Sequence, residues 1–382
     1  MSLKYVEPVV GALLMLLFLA DVFLTVLYAR IGTGIFSTVL ARSLWRSFRG
    51  VARRFGQRRG KVLSFCGPVI LVALVLFWAL GLTLGTALII HPGLGKSVLS
   101  SNGSTPQDFV SAIYAGGSSL SIVGAGNFSP KTGGMRMFYL LNSLIGMSVI
   151  SLTLTYLMQV YSALHQRNAL GLKLHLLSAE TSDAAQFIAR LGPQGDFDSA
   201  NSTLFELGGQ LASVKEAHHF YPVLFYFRFS EAYYSVSRIT LMALDTVALL
   251  RSALDANRYA ALQRSAALTQ MDRASLMLLT TLEEEFLAHG APQPARPDVD
   301  EEARWRSRYL SAEDVLRSAG IQVGPASKAG AERYVSLRSR WSAYIEALAP
   351  AMLFEMSDVD PALRGSTSGD FTPLHREGRL AS

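Results

Sequence analysis

Residues 104–141 read STPQDFVSAIYAGGSSLSIVGAGNFSPKTGGMRMFYLL. The combination of Thr105, Pro106 and Asp108 is typical of a helix start, because threonine can cap, proline suits the first turn and a nearby acid completes a capping box. The sequence predicts a short helix over residues 106–115 that ends at a pair of glycines. Crossing a bilayer takes about 20 residues, so a helix of this length can only dip into a membrane and return.

The segment after the short helix carries alternating glycines. Gly124 and Gly126 permit backbone conformations that are closed to other residues, so successive carbonyl oxygens can face one axis. A ring of such carbonyls replaces the water shell of a dehydrated cation, as in potassium filters. The predicted ion filter comprises Ser121, Ile122, Val123, Gly124, Ala125, Gly126 and Asn127. A single loop per chain predicts a homotetramer, because the ring needs equivalent loops around one axis.

Three apolar runs in the chain are long enough to cross a bilayer as helices. They cover residues 6–28, 62–90 and 135–163. The first is expected to be retained, because it is longer than a signal-peptide core and lacks a small-residue cleavage site. The third is more polar, as a helix that lines water can be. The sequence therefore predicts an all-α membrane protein with three transmembrane helices, a re-entrant pore helix and filter, and a cytoplasmic α-helical domain.

The loop between the first two runs is strongly basic. Residues 30–61 contain nine Lys and Arg and no Asp or Glu, and short basic loops stay on the cytoplasmic side of a membrane. This predicts a multi-pass protein of the plasma membrane, of the bacterial inner-membrane type, with everything after residue 164 in the cytoplasm. Because the net charge of +6 is concentrated beside apolar segments, it indicates a membrane surface and no nucleic acid partner.

A basic amphipathic helix is predicted inside this loop. Its apolar side chains recur at helical spacing, while arginines occupy the other faces. The apolar stripe consists of Leu40, Leu44, Phe48, Val51 and Phe55. Such a helix suits the anionic lipids of the inner leaflet, and the alternative is a helix packed on the soluble domain.

The chain is expected to divide into four parts. They are an N-terminal transmembrane helix with the basic helix (1–61), a pore module (62–164), a cytoplasmic helical domain (165–357) and a disordered tail (358–382). Residues 221–256 are apolar, but charges at helical spacing predict an amphipathic soluble helix and not a further span. Those charges are Arg228, Glu231, Arg238 and Asp245. Further helices are predicted over residues 204–218, 259–289 and 331–354, with a linker over residues 290–300.

Residues 108–161 resemble the pore-loop and inner-helix region of the potassium channel superfamily, particularly its prokaryotic two-transmembrane pore modules. The filter pattern of that family, Thr-Val-Gly-Tyr-Gly-Asp, is matched here by Ile-Val-Gly-Ala-Gly-Asn over residues 122–127, with both glycines kept. Gly146 lies about where the family places its hinge glycine. The resemblance implies a gating hinge there, with close packing of helices as the alternative. It also implies a tetrameric potassium-type cation channel.

Three filter positions depart from the family pattern. Ile122 replaces the threonine of the innermost ion site, Ala125 replaces the aromatic that braces the filter, and Asn127 replaces the acid at the outer mouth. Backbone carbonyls can coordinate K+ or another monovalent cation without these side chains, so the departures predict weakened potassium selectivity. Two alternatives stay open: a membrane-anchored helical sensor or scaffold that does not conduct, and a cation transporter subunit with a single re-entrant loop.

No enzyme activity, cofactor or resident metal is predicted. No Ser-His-Asp or paired-carboxylate arrangement stands out in the sequence. His218 and His219 beside Glu216 form a poor metal site, because adjacent histidines on a helix diverge. Asp21 lies deep in the first span, where a carboxylate is costly unless paired, and we expect it to pair with Thr25 or a basic group.

Overall fold

The computed structural model of the chain describes residues 3–28, 34–121, 124, 126–287, 297–360 and 363. Within these residues the protein is mainly helical. Three helices are long and apolar enough to cross a membrane: Tyr5–Leu27, Arg59–Gly93 and Gly133–Leu177. The prediction of a helical protein with three spanning segments is confirmed, and a short β-ribbon departs from the all-helical expectation.

The membrane half (residues 3–177) begins with closely packed helices. Its helices are α1 (Leu3–Val22), α2 (Ser37–Ala52), α3 (Arg59–Ser64), α4 (Cys66–Ile90), α5 (Phe109–Leu120) and α6 (Gly133–Leu177). A π-helical turn (Phe23–Leu27) and 3-10 turns (Arg53–Arg58, His91–Gly93) lie between them. α1 and α4 approach so closely that a Cβ on Gly85 would lie 2.9 Å from the Gly11 carbonyl oxygen. Small residues at such crossings let membrane helices pack.

The short helix α5 lies between α4 and α6, and its bounds differ from the prediction at both ends. Its N-cap is Asp108, whose carboxylate accepts a hydrogen bond from the Ser111 amide at 2.9 Å. Thr105 accepts from the Ser100 amide instead, so its predicted capping role is wrong. The glycine pair 116–117 lies inside the helix and does not end it. Both glycines face α4, where a side chain would be crowded.

Two three-residue strands, β1 (Val98–Ser100) and β2 (Phe128–Pro130), pair antiparallel across the ends of the α5 region. Leu99 lies opposite Ser129. The Lys131 amide extends the pairing by donating to the Ser97 carbonyl at 2.8 Å. The ribbon therefore ties the loop before α5 to the segment after it, and strands this short carry too little periodicity to be predicted.

α6 is a single helix of 45 residues that is capped by Thr132. At 1.5 Å per residue it is about 67 Å long, roughly twice the hydrocarbon thickness of a bilayer. The predicted domain boundary after residue 164 falls inside it. Beyond that point Arg167 and Leu170 are buried, because this part of α6 packs against the helices that follow.

The helical domain (residues 178–363) is built around one buried helix. Its helices are α7 (Ala184–Leu191), α8 (Ala200–Phe220), α9 (Val236–Ser252), α10 (Ala260–Gln263), α11 (Ala266–Phe286), α12 (Val299–Ser318), α13 (Ser327–Arg338), α14 (Ser342–Ala351) and α15 (Met356–Val359). Short 3-10 turns cover Pro193–Gly195, Pro222–Tyr226 and Ala232–Tyr234. Every residue of α9 except Arg251 is buried, since α7, α11, α13 and α14 pack around it.

The amphipathic helix predicted over residues 221–256 is wrong in extent and in character. Residues 221–235 form mainly 3-10 turns, and α9 begins after Ser235, whose hydroxyl caps it. Arg238 and Asp245 are buried and not solvated, because groups on distant elements bind them. The charges at helical spacing in this segment therefore include members of a buried network of ion pairs and hydrogen bonds, where the prediction had a solvated helix face.

The remaining predicted helices are present with different bounds. Residues 204–218, 259–289 and 331–354 correspond to α8, to α10 with α11, and to α13 with α14. α7 and α12 were not predicted, and α12 begins inside the predicted linker, where Asp298 and Glu301 form a capping box. Residues 288–296 around the linker, and residues 361–362 and 364–382 of the predicted tail, lie outside the part of the chain that the structure describes.

Candidate functional site

The predicted filter begins where α5 ends. Of its residues the structure describes Ser121, Gly124, Gly126 and Asn127, and Ile122, Val123 and Ala125 lie outside the described residues. Gly124 has a φ of +89° and Gly126 a φ of +54°. L side chains avoid this left-handed region. Alternate left-handed residues are what a strand needs if its carbonyl oxygens are to point to one side.

The filter segment is anchored at both ends. At its start the Ser121 hydroxyl donates to the Ser118 carbonyl at 2.9 Å, and the Ser121 amide donates to the Gly117 carbonyl at 3.0 Å. At its end the Ser101 amide donates to the Asn127 carbonyl at 2.7 Å. A backbone fixed at both ends can hold its carbonyls in one arrangement, which ion coordination requires.

Tyr114 of α5 lies beside the end of the filter segment. A Cβ on Gly126 would lie 2.9 Å from the Tyr114 hydroxyl oxygen. The Tyr114 ring meets the Phe128 ring edge-on, with 6.0 Å between centroids. An aromatic side chain therefore approaches this segment although Ala125 has none. Sequence analysis missed Tyr114, because only the fold brings this part of α5 back to the glycines.

Gly146 of α6 lies against the last residue of α5. A Cβ at this position would overlap the Leu120 carbonyl oxygen and lie 2.8 Å from the Leu120 carbonyl carbon. α6 stays helical through this point. Gly146 therefore allows α5 and α6 to pack closely, which was the alternative to a gating hinge. A hinge at this residue stays a prediction.

No protein-family model matches the chain, and no solved structure matches it. The chain is similar to the uncharacterized membrane protein YdjJ of Bacillus subtilis (strain 168), with 23% identity over 237 residues that cover 62% of this chain and 67% of that protein. This chain is a membrane protein. Its three apolar helices and its similarity to a protein so named agree on this point.

Asp21 of this membrane protein is fully buried and has other partners than those predicted. Its carboxylate accepts hydrogen bonds from the Trp78 indole nitrogen at 2.7 Å and from the Phe36 amide at 2.8 Å. Thr25 instead bonds the Ser37 hydroxyl at 2.7 Å. The predicted pairing with Thr25 or a basic group is wrong, because the indole and the start of α2 supply the donors. Asp21 therefore joins α1, α2 and α4.

The basic helix α2 turns part of its apolar stripe toward the protein. Trp45 is buried, and its ring centroid lies 6.3 Å from that of Phe225 and 5.7 Å from that of Tyr226. The partly buried stripe residues that pack with this core are Leu40, Leu44 and Phe48. Val51 and Phe55 are exposed. The first half of the stripe therefore packs inside the protein, and contact of α2 with the lipids of the inner leaflet stays a prediction.

One aromatic segment, residues 221–229, connects the helical domain to the membrane half. The Arg167 guanidinium of α6 donates to the Leu224 and Phe227 carbonyls at 2.9 and 3.0 Å. A Cβ on Gly67 of α4 would lie 2.6 Å from the Phe227 ring. With its contact to Trp45, the segment touches α2, α4 and α6 at once.

The histidines of α8 show no arrangement that holds a metal. Burial lowers the pKa of His218 to about 3, with the positive charge of Arg167 acting in the same direction, so its ring is neutral at physiological pH. Neither ring nitrogen has a hydrogen-bond partner within the described ranges. In that same part of the chain, no three His, Cys, Asp or Glu side chains form a metal-binding group.

A buried charge network organises the helical domain. Arg338 of α13 pairs with Asp245 of α9 and with Asp360. Arg308 of α12 lies 3.3 Å from Asp245 and 2.7 Å from Asp183. Burial alone would raise the pKa of Asp183, but the Arg308 guanidinium and local amides outweigh it and hold this pKa below its ordinary value. These charges compensate one another and connect α9, α12 and α13.

Proposed function

We propose that the chain forms a homotetrameric, potassium-type cation channel whose ion filter is the backbone segment 121–127. The observation that carries this proposal is the pair of left-handed glycines, Gly124 and Gly126, directly after a short helix and between two spanning helices. Rings of carbonyls replace the hydration shell of a cation. The permeant ion is K+ or another monovalent cation, and no cofactor takes part.

α5 is the re-entrant pore helix of this channel. Its 12 residues extend about 18 Å, roughly half the thickness of a bilayer. The C-terminal end of a helix carries partial negative charge, so the end of α5 attracts a cation toward the filter entrance. Non-helical backbone at membrane depth must be covered by protein or line a water-filled cavity, and neighbouring copies of the chain provide that cover.

Exposed apolar faces of α5 and α6 support the assembly. Val110 of α5 is 73% exposed in the single chain. In the part of α6 before residue 165, the exposed large apolar residues are Met137, Leu140, Leu141, Leu144, Met147, Ile150, Leu154, Met158 and Tyr161. Ser151 and Thr155, one helical turn apart, are exposed among them, and polar residues on a membrane helix suit a water-filled axis. A tetramer covers apolar surface between its copies and directs this polar strip to the pore.

The basic loop sets the orientation of the channel. Its nine Lys and Arg within residues 30–61 place the loop in the cytoplasm by the positive-inside rule. α6 then carries the chain inward, so the helical domain lies on the cytoplasmic side of the plasma membrane. Arg42 and Arg46, which are exposed on α2, face the anionic lipids of the inner leaflet.

Potassium selectivity in this channel is weaker than in channels with the full family pattern. Ile122 has no hydroxyl for an innermost ion site, and Ala125 has no ring to brace the filter from behind. Among the described residues of the segment, Tyr114 approaches Gly126 at its end. The carbonyl ring is therefore less rigid, and a flexible ring separates K+ from Na+ less sharply.

Reconstitution of the full-length protein tests this function. We expect native mass spectrometry to show a tetramer and planar bilayers with opposed K+ and Na+ to show a cation current with a modest K+ preference. A strong K+ preference would contradict the weakened filter alone. An intact protein that carries no current would favour the sensor or scaffold, and flux that requires a second ion gradient would favour the transporter.

A further inference from the structure

Three polar side chains form a bridge between the helices around the filter. Asn142 of α6 donates from Nδ2 to Ser119 Oγ of α5 at 2.6 Å, and its Oδ1 accepts from Thr86 Oγ1 of α4 at 3.1 Å. Ser119 donates in turn to the Gly116 carbonyl at 2.8 Å. All three side chains are buried, so the bridge is closed off from lipid and water within one chain.

Stability alone does not explain an amide at residue 142. An amide inside an apolar membrane helix is costly unless its polar atoms are paired. A leucine has the same branching of side-chain heavy atoms as asparagine and would leave no polar atom to satisfy. Hydrogen bonds are directional, so a bonded amide fixes the orientation of its partners. Apolar packing does not impose that restriction.

The bridge lies where α5 passes into the filter segment. Ser119 lies two positions before the filter begins. The next residue, Leu120, presses its carbonyl against Gly146. Asn142 and Gly146 are about one helical turn apart on α6. Asn142 binds Ser119 and Gly146 contacts Leu120, so two successive turns of α6 contact two consecutive residues of α5. The last turn of α5 is thereby fixed both in position and in rotation.

We infer that Asn142 is a positioning residue for the filter. It acts through Ser119 and the last turn of α5 on the carbonyl ring, and it does not touch the ion. This inference rests on the proposed function. Without the amide, the hydrogen bond that fixes the end of α5 on α6 is lost. The filter carbonyls then take less similar positions in the four copies. Ion selectivity and the steadiness of the open current then fall, while the glycine contacts within each chain keep its helices packed.

Single-channel recording of full-length Asn142→Leu beside the unaltered protein tests the inference. The K+ to Na+ permeability ratio is expected to fall about threefold, the factor that matches a typical interhelical hydrogen bond in a membrane, and brief closures should become more frequent. Thr86→Val keeps the side-chain shape and is expected to shift both readouts less, since Asn142 keeps its bond to Ser119. Asn201→Leu is the matched control, because it makes the same substitution at an exposed asparagine of α8 in the helical domain, and both readouts should stay unchanged.

An Asn142→Leu tetramer with an unchanged permeability ratio and unchanged closures would overturn the inference. If that variant does not assemble, Thr86→Val decides, and an unchanged ratio in that variant overturns the inference as well. An unaltered protein without any current refutes the proposed function and the inference together. Failure of the variant test in a conducting protein refutes the inference alone, so the two failures are distinguishable.

Discussion

The membrane half and the helical domain are held together in different ways. In the membrane half, helices meet at glycines, as where Gly11 approaches Gly85 and Gly146 approaches Leu120. The helical domain instead surrounds α9 with apolar side chains and ion pairs. Lipid tails are as apolar as leucine, so membrane helices gain from close packing and polar contacts. In water, burial of apolar surface is itself favourable, and the core of the helical domain consists mainly of large apolar side chains.

Buried carboxylates show the same difference. Asp21 in the membrane half accepts hydrogen bonds from neutral donors such as the Trp78 indole. Asp245 in the helical domain lies between Arg308 and Arg338. Removing the Asp21 carboxylate would leave neutral donors unpaired, whereas removing the Asp245 carboxylate leaves buried arginine charges, which is the more costly loss. The helical domain should therefore depend on single charges, and the membrane half on single small residues.

The largest change is expected from Asp245→Ala. The free energy of unfolding of the helical domain should fall by about 3 kcal/mol, because Arg308 and Arg338 lose their shared partner. Chemical unfolding of the full-length protein in detergent, followed by tryptophan fluorescence, measures the change. Trp305 and Trp341 report on the network, since both rings lie within 6 Å of the Arg338 guanidinium by centroid distances of 5.5 and 5.3 Å.

Asp314→Ala is the matched control for that variant. Asp314 also pairs with an arginine, Arg317, but its side chain is 81% exposed. An exposed pair contributes about 0–1 kcal/mol, so the control should unfold almost like the unaltered protein. Equal effects of the two substitutions would show that burial of the network does not set its importance.

A smaller loss of stability is expected from Gly146→Ala in the membrane half. The new methyl group would overlap the Leu120 carbonyl, and forced overpacking costs about 1–3 kcal/mol. Thermal unfolding in detergent should show a lower midpoint for this variant. Gly134→Ala adds the same methyl group where nothing lies within 4 Å and should leave the midpoint in place. If both variants unfold alike, the close contact between α5 and α6 is not a source of stability.

Gly124→Ala is expected to cost still less stability while stopping conduction. No described residue lies within 4 Å of its Cβ position, so we expect the left-handed backbone conformation to set the penalty, at about 1–2 kcal/mol. Potassium flux into proteoliposomes should fall about tenfold or more, since 1.4 kcal/mol corresponds to about a factor of 10. Gly103→Ala imposes similar strain outside the filter, at a φ of +101° with open space around it, and should conduct normally. Normal flux through Gly124→Ala would show that the filter is assigned wrongly.

The smallest expected effect is a pH dependence that Asp183 confers on the helical domain. Its pKa in the folded protein lies below the ordinary value, which is about 3.9 in an unfolded chain. Its contribution is therefore complete above about pH 4 and is lost as the pH falls through the folded pKa. Asp183 is also the N-cap of α7, where its carboxylate accepts from the Ala185 amide at 2.7 Å, and asparagine can replace it in that role. Unfolding measured between pH 5 and pH 3 should show a shallower loss for Asp183→Asn. Identical acid profiles would exclude this carboxylate as a contributor.

Features with local causes were predictable from the sequence. Long apolar runs gave the spanning helices, and the alternation of Gly124 and Gly126 gave a segment whose two glycines are indeed left-handed. The existence of α5 followed from its start signals, but its cap did not. Thr105 and Asp108 both suit that role, and the choice depends on Ser100, which the β-ribbon brings to Thr105.

Features with distant causes were not predictable. Asp245 resembled a solvated charge because its partners Arg308 and Arg338 lie 63 and 93 residues further along the chain. Asn142 resembled a pore-lining polar residue, since its partners Ser119 and Thr86 lie 23 and 56 residues before it. A polar residue in an apolar run carries no local sign of whether it faces water or a buried partner.

The unbroken length of α6 has a mechanical consequence. Arg167 binds the aromatic segment, and Gly146 contacts the end of α5. The two residues lie about 32 Å apart along one continuous helix. A helix without a kink transmits rotation and axial displacement as a stiff rod. A tilt of about 5° at one of these points displaces the other by about 3 Å at this separation, comparable to the width of a dehydrated ion's path. A movement of the helical domain at Arg167 is therefore carried along α6 to the end of α5.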